Sequence, residues 1–235
     1  MAKMIIASTS TVHGSGYLEY LLPELKHLFG GVKEIVFIPF ARPGGISHDE
    51  YTAIANKAFQ TIGINVKGLH EFENPIHALS EAKGLFTGGG NTFVLLSQLY
   101  KQNLITPLKE AILNGTPYLG TSAGSNICGL TVNTTNDMPI VYPPSFKALG
   151  VLSFNLNPHY LDPDTNSTHM GETRETRIKE FHAYNNVPVL GLREGSWLDV
   201  NGQIITLKGE LKARLFKSSN AISELETGTD LTDLK

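Results

Sequence analysis

One pentapeptide holds the first residues able to do chemistry: Gly120-Thr121-Ser122-Ala123-Gly124. It reads G-x-S-x-G, the pattern of a serine carried on a sharp strand-to-helix turn. Such a turn strains the serine backbone, and small neighbours at Gly120 and Gly124 relieve the crowding. It lifts the hydroxyl above the sheet and brings the Ala123 N–H toward an oxygen that turns negative as an acyl carbonyl is attacked. The same five residues also fit an ordinary Gly-Ser turn, so the reading depends on what stands beside them.

An acyl transfer at Ser122 needs a base, a carboxylate behind the base and a second oxyanion donor. The chain has eight histidines. His159, after Asn157-Pro158, is singled out because it lies just beyond a predicted strand. Two carboxylates compete to orient it. Glu194 also follows a predicted strand and is the better placed. Asp137, in Thr134-Thr135-Asn136-Asp137-Met138-Pro139, remains second, either as orienter or as a group shaping the pocket; an Asx-turn role is its plainer reading. Gly88-Gly89-Gly90-Asn91 opens a helix, and Gly89 or Gly90 can supply the second donor, since glycine lets backbone N–H groups approach a ligand. A packing turn or a phosphate loop would also use glycines, but no G-K-[ST] or G-x-G-x-x-G accompanies them. Arg174, early in a charged segment, gains nothing from the helix dipole there. It is either a solvated surface arginine or a fork for a substrate carboxylate. Neither H-E-x-x-H nor C-x-x-C occurs, so neither metal nor cofactor is expected.

These groups need a sheet edge to gather on. Short apolar runs at Met4–Ser8, Glu34–Pro39, Ile64–Leu69, Gly84–Thr87, Pro117–Gly120, Val151–Leu156 and Pro188–Leu192 read as strands buried on both faces. Helical spacing appears at Gly16–Phe29, where Pro23 must kink the helix or sit near a first turn. It recurs at Asp49–Thr61, Thr92–Lys101, Leu104–Asn114 and Glu172–Asn185. The alternation predicts a doubly wound α/β fold with a mostly parallel sheet, in which ligands sit beyond the strand C-termini. Asn201-Gly202 between Trp197–Val200 and Gln203–Leu207 predicts a C-terminal antiparallel ribbon. The polar tail after Ala221 is expected to be loosely held, or helical at best.

The 235 residues, 41% of them hydrophobic, suffice for one domain over residues 1–235. Nineteen basic and 22 acidic residues give a net charge of −3. That balance gives no electrostatic reason to expect nucleic acid or a membrane as partner. Cys128 is the one cysteine, so no intrachain disulfide can form. The opening apolar stretch is too short for a secretory signal, and no apolar run spans a bilayer; a cytoplasmic location is expected.

Several motifs in order resemble the peptidase E family of aspartyl dipeptidases. They are Phe37-Ile38-Pro39-Phe40-Ala41, Gly88-Gly89-Gly90-Asn91-Thr92-Phe93, Ser122-Ala123-Gly124, Thr134–Val141, Asn157-Pro158-His159, Gly171–Glu175 and Glu194-Gly195. The resemblance implies a fold like that of class I glutamine amidotransferases, of flavodoxin-like type, with serine at the elbow in place of cysteine. It implies a serine dipeptidase that hydrolyses Asp-X dipeptides through an acyl-enzyme. Ser122 and His159 match the nucleophile and base, Asp137 and Glu194 both match proposed third members, and Arg174 matches the arginine that binds the substrate aspartate. Gly89, Gly90, Asn91 and Ala123 would line the substrate site. The expected partner is a small Asp-X peptide, and a homodimer is left open. The rival readings are a cyanophycinase-like serine peptidase and a non-catalytic amidotransferase-like binding module.

Overall fold

A computed structural model describes residues 1–164, 168, 170–219 and 222–234. Its first half alternates strands and helices: β1 (Lys3–Ala7), α1 (Leu22–Leu28), β2 (Glu34–Ile38), α2 (His48–Gln60), β3 (Asn65–Gly68), α3 (Pro75–Glu81), β4 (Leu85–Thr87), α4 (Thr92–Lys101), α5 (Ile105–Leu113), β5 (Tyr118–Thr121) and α6 (Ala123–Asn126). The second half holds β6 (Asn155–Pro158), α7 (Arg174–His182), β7 (Val189–Leu192), β8 (Ser196–Asn201), β9 (Ile204–Gly209), β10 (Ala213–Phe216) and β11 (Ile222–Leu225).

Seven strands form the main sheet in the order β3-β2-β4-β5-β1-β8-β9. The five from β3 to β1 are parallel. Their side chains alternate between two cores, as a strand's period of two requires. Met4 and Ile6 of β1, with Val36 and Ile38 of β2, enter one core. Ile5, Ile35 and Phe37 enter the other. Both faces are therefore covered, which explains the unbroken apolar runs. The ribbon β8–β9 pairs antiparallel and covers the β1 edge. Its turn is one residue later than the Asn-Gly pair suggests: Asn201 pairs with Ile204, and Gly202, at φ +65°, starts the two-residue loop.

Helix starts follow side-chain chemistry. Ser47 and Glu50 form a reciprocal capping box at α2, Asn91 caps α4 and Thr173 caps α7. Pro23 sits in the first turn of α1, where a missing N–H costs nothing.

The larger correction concerns the second half. The predicted strands Val151–Leu156 and Pro188–Leu192 are not in the main sheet. The first shifts to Asn155–Pro158, and β6 and β7 pair in parallel within a separate four-stranded sheet, β11-β10-β7-β6. The tail is also more ordered than expected: β11 pairs with β10, and Leu231 and Leu234 are buried. These two leucines insert apolar side chains into the main core, which a count of polar residues in the tail overlooks.

Candidate active site

Ser122 follows β5 and has φ +54° and ψ −111°, a conformation that costs a non-glycine residue. Three contacts hold it there. Its N–H donates to the Ala7 carbonyl at 3.2 Å, and the buried Ser125 hydroxyl bonds the carbonyls of Ala7 and Gly120 at 2.6 and 2.8 Å. A Cβ on Gly120 would lie 2.6 Å from the Gly124 carbonyl oxygen, and one on Gly124 would collide with the Thr87 carbonyl. The elbow needs both glycines because backbone passes where side chains would be.

The imidazole comes from the other sheet. His159 follows β6 at φ +54°, and its Nε2 lies 2.9 Å from the Ser122 Oγ. Its Nδ1 lies 2.6 Å from Glu194 Oε1. An ionised carboxylate only accepts, so Nδ1 carries the proton and Nε2 offers its lone pair to the serine hydroxyl. The His159 N–H donates to the hydroxyl of Ser8 at 2.8 Å, and Ser8 donates to the Leu192 carbonyl at 2.8 Å. Ser8, wholly buried at the end of β1, thus ties the ends of β6 and β7 to the main sheet.

Glu194 is held in place by its neighbour. Arg193 donates to both oxygens of Asp162 at 2.7 and 2.8 Å, to both oxygens of Glu224 at 2.9 and 3.0 Å, and to the Lys212 carbonyl at 2.7 Å. All five of its N–H groups are engaged. Hydrogen bonds to Asp162 and Glu224 raise the Arg193 pKa, and Arg193 holds the Asp162 carboxyl below its usual range. Arg193 therefore fixes the turn that carries Glu194 without competing for Glu194 itself.

The glycine loop before α4 lies against three different walls. A Cβ on Gly88 would be 2.5 Å from the Tyr51 hydroxyl, one on Gly89 would be 2.9 Å from the Ser122 Cβ, and one on Gly90, at φ +145°, would strike the Ala41 carbonyl. The N–H groups of Gly88 and Asn91 are used, on Ile38 and Ala41. Among the described residues those of Gly89, Gly90 and Ala123 have no partner. Their hydrogens are therefore free to meet a negatively charged oxygen.

Asp137 does not orient the histidine. Its Oδ2 accepts the Thr92 N–H at the start of α4, at 2.7 Å, and the Thr135 hydroxyl at 3.1 Å. A carboxylate at a helix N-terminus satisfies an otherwise free N–H. Asn91 is likewise occupied: its oxygen accepts from Val94 N–H, and its amide donates to the Met138 carbonyl. Arg174, the first residue of α7, is half-buried and has no ion pair among the described residues. Burial and then Arg177 lower its pKa, while the Asp137 carboxylate opposes that shift. Asp137 thus acts on Arg174 only through its charge, while its hydrogen bonds go to Thr92 and Thr135. Sequence reasoning missed Ser8, although the strand-end rule that found His159 also applies to the residue after β1. Tyr51, inside a helix, carried no such signal.

Among the described residues no group of three or more His, Cys, Asp or Glu could hold a metal, and no helix is long and apolar enough to cross a membrane. A cavity of about 560 Å³ opens beside Glu194, between Tyr20, Trp197 and Leu211. A larger one, about 1100 Å³, lies near Glu34, Lys83 and Pro117, at the strand N-termini and away from Ser122.

A mostly parallel α/β sheet with a strained serine hydrogen-bonded to a histidine, itself bonded to a glutamate, defines a serine hydrolase. Its kind is given by comparison with known proteins. The sequence profile of peptidase family S51 matches residues 4–208, and the chain belongs to that family. It is 48% identical over 235 residues to a Drosophila melanogaster protein named "Probable alpha-aspartyl dipeptidase", covering 99% of this chain and 97% of that one. It is 49% identical over 232 residues to a Streptomyces coelicolor "Peptidase E", covering 99% and 94%. Its fold is similar to that of a crystallised peptidase from an acI-B1 Actinobacterium, with a TM-score of 0.72 at 16% identity over 98% of this chain and 96% of that one.

Proposed function

We propose that this chain is a serine dipeptidase that releases aspartate from Asp-X dipeptides. The observation carrying the proposal is the hydrogen-bond sequence Glu194–His159–Ser122, at 2.6 and 2.9 Å, beside backbone N–H groups with no partner among the described residues. In this reading Ser122 attacks the aspartyl carbonyl, and its proton passes to His159 Nε2. The carbonyl oxygen takes up the negative charge between the Ala123 N–H and an N–H of the glycine loop. Collapse of the tetrahedral intermediate expels the leaving amine, which receives the proton from His159. Water, deprotonated by the same histidine, then hydrolyses the acyl-enzyme.

Aspartate selectivity rests on Arg174. A partly desolvated guanidinium with no ion pair among the described residues can bind the side-chain carboxylate with two parallel hydrogen bonds, which a neutral amide cannot reciprocate. The names of the Drosophila and Streptomyces relatives support this substrate class. Because the site draws on both sheets, we read residues 1–235 as one peptidase domain. It would act in the cytoplasm without a cofactor. Turnover of Asp-Leu is the test: purified enzyme should release aspartate and leucine, and Ser122→Ala should abolish the release. Full turnover by Ser122→Ala would overturn the proposal.

A further inference from the structure

Tyr51 lies in α2, far in sequence from every residue of the hydrolytic site, yet its ring is 1% exposed and its hydroxyl touches the glycine loop. The hydroxyl donates to the Gly89 carbonyl at 3.2 Å. The same hydroxyl fills the space that a Cβ on Gly88 would need. The ring is clamped edge-on by Phe37 at 4.9 Å, with the Arg42 guanidinium stacked over it at 4.8 Å. The phenol therefore has little freedom to move off the loop.

The Gly89 carbonyl and the Gly90 N–H belong to one peptide unit. The described chain contains no cis peptide, and across a trans unit the C=O and N–H point in opposite directions. Holding the carbonyl down on Tyr51 turns the Gly90 N–H to the other side of the loop, away from Tyr51. That N–H has no protein partner among the described residues, and the flanking amides of Gly88 and Asn91 are occupied on Ile38 and Ala41. Ser122 packs directly against Gly89. Two glycines in succession could otherwise rotate this peptide at little cost.

We propose that Tyr51 is a positioning residue that fixes the Gly89–Gly90 peptide so that the Gly90 N–H serves as the second oxyanion donor opposite Ala123. The proposal rests on the reading of Ser122 as nucleophile. Its effect belongs to the transition state, because the donor matters most when charge develops on the carbonyl oxygen.

Tyr51→Phe keeps the packed ring and removes only the hydroxyl. The expected result is a fall in kcat on Asp-Leu of about 10- to 100-fold, with KM changed less than about 2-fold. A boronic-acid analogue of aspartate, which becomes tetrahedral on Ser122, should lose affinity in parallel with kcat/KM. Free aspartate, which mimics only the ground state, should bind Tyr51→Phe as it binds wild type. Tyr51→3-fluorotyrosine, which keeps the donor, should retain wild-type kcat and serves as the second variant if Tyr51→Phe does not fold. In that event, a large kcat loss with the fluorinated phenol would overturn the proposal. So would wild-type kcat in folded Tyr51→Phe, or equal losses for boronate and aspartate. Because Ser122→Ala tests the nucleophile separately, an inactive Ser122→Ala beside a fully active Tyr51→Phe would sink this inference alone.

Discussion

The Ser8 hydroxyl accepts the backbone N–H of His159 at 2.8 Å and donates to the Leu192 carbonyl, so one buried oxygen sets where the His159 imidazole meets the main sheet. His159 itself has a positive φ that its side chain does not favour, and this hydrogen bond helps to hold it. Ser8→Ala should lower kcat on Asp-Leu about 10-fold with little change in KM. It should also lower stability by about 1–3 kcal/mol, since the His159 N–H loses its acceptor, while the Leu192 carbonyl keeps the Tyr160 N–H. Steady-state kinetics and a denaturant melt on the same preparation check both numbers.

The two candidate carboxylates should separate in kinetics. Glu194→Gln removes the charge that stabilises the imidazolium and can turn an amide N–H toward Nδ1, favouring the wrong tautomer, so kcat should fall by roughly 10²–10⁴. Asp137→Asn should have a much smaller effect on kcat, because the carboxylate it removes bonds Thr92 and Thr135 and not the imidazole. Its cost should appear in stability and in KM, through the start of α4 and the field around Arg174. A larger kcat loss for Asp137→Asn than for Glu194→Gln would reverse the assignment.

Arg174→Met should erase discrimination between Asp-Leu and Asn-Leu. Losing a desolvated partner of a substrate carboxylate costs about 2–5 kcal/mol, which is roughly 30-fold to several-thousand-fold in kcat/KM for Asp-Leu. Asn-Leu turnover should change far less. Full retention of the aspartate preference would remove Arg174 from the binding site.

Acid should loosen the second sheet through Asp162. Hydrogen bonds from Arg193 hold its carboxyl below the ordinary aspartate range. The folded-state pKa is lower than the unfolded one, so the folded state binds fewer protons as pH falls. The stabilisation is thus complete above the ordinary aspartate range and is lost as pH drops through the folded value. Asp162→Asn should melt at a lower temperature than wild type near neutrality. The gap should close in strong acid, as melts across a pH series would show.

Part of this arrangement was readable from residue order. The elbow, the glycine loop and the histidine after Asn157-Pro158 each stand at a strand end, and strand ends are found from short apolar runs. The division into two sheets was not readable that way. Leu190 and Leu192 in β7 are as buried and apolar as Leu119 in β5, and nothing in such a run records which partner it pairs with. Strand-end position ranked Glu194 above Asp137 but did not say what Asp137 does, because a carboxylate in a loop reads the same whether it meets an imidazole or a helix N-terminus. The roles of Ser8 and Tyr51 are contacts across 151 and 38 positions. Only the folded chain brings those pairs together.

The division between sheets bears on how the enzyme is born. Ser122 and its elbow belong to the main sheet, whereas His159 and Glu194 are carried by the second sheet, which needs β10 and β11 to close. In the proposed mechanism the nucleophile Ser122 is therefore synthesised well before its base, His159, and its acid, Glu194, can be set. A nascent chain with a fully formed elbow would hold an unactivated alcohol, inert toward peptides around the ribosome, until the last strands dock.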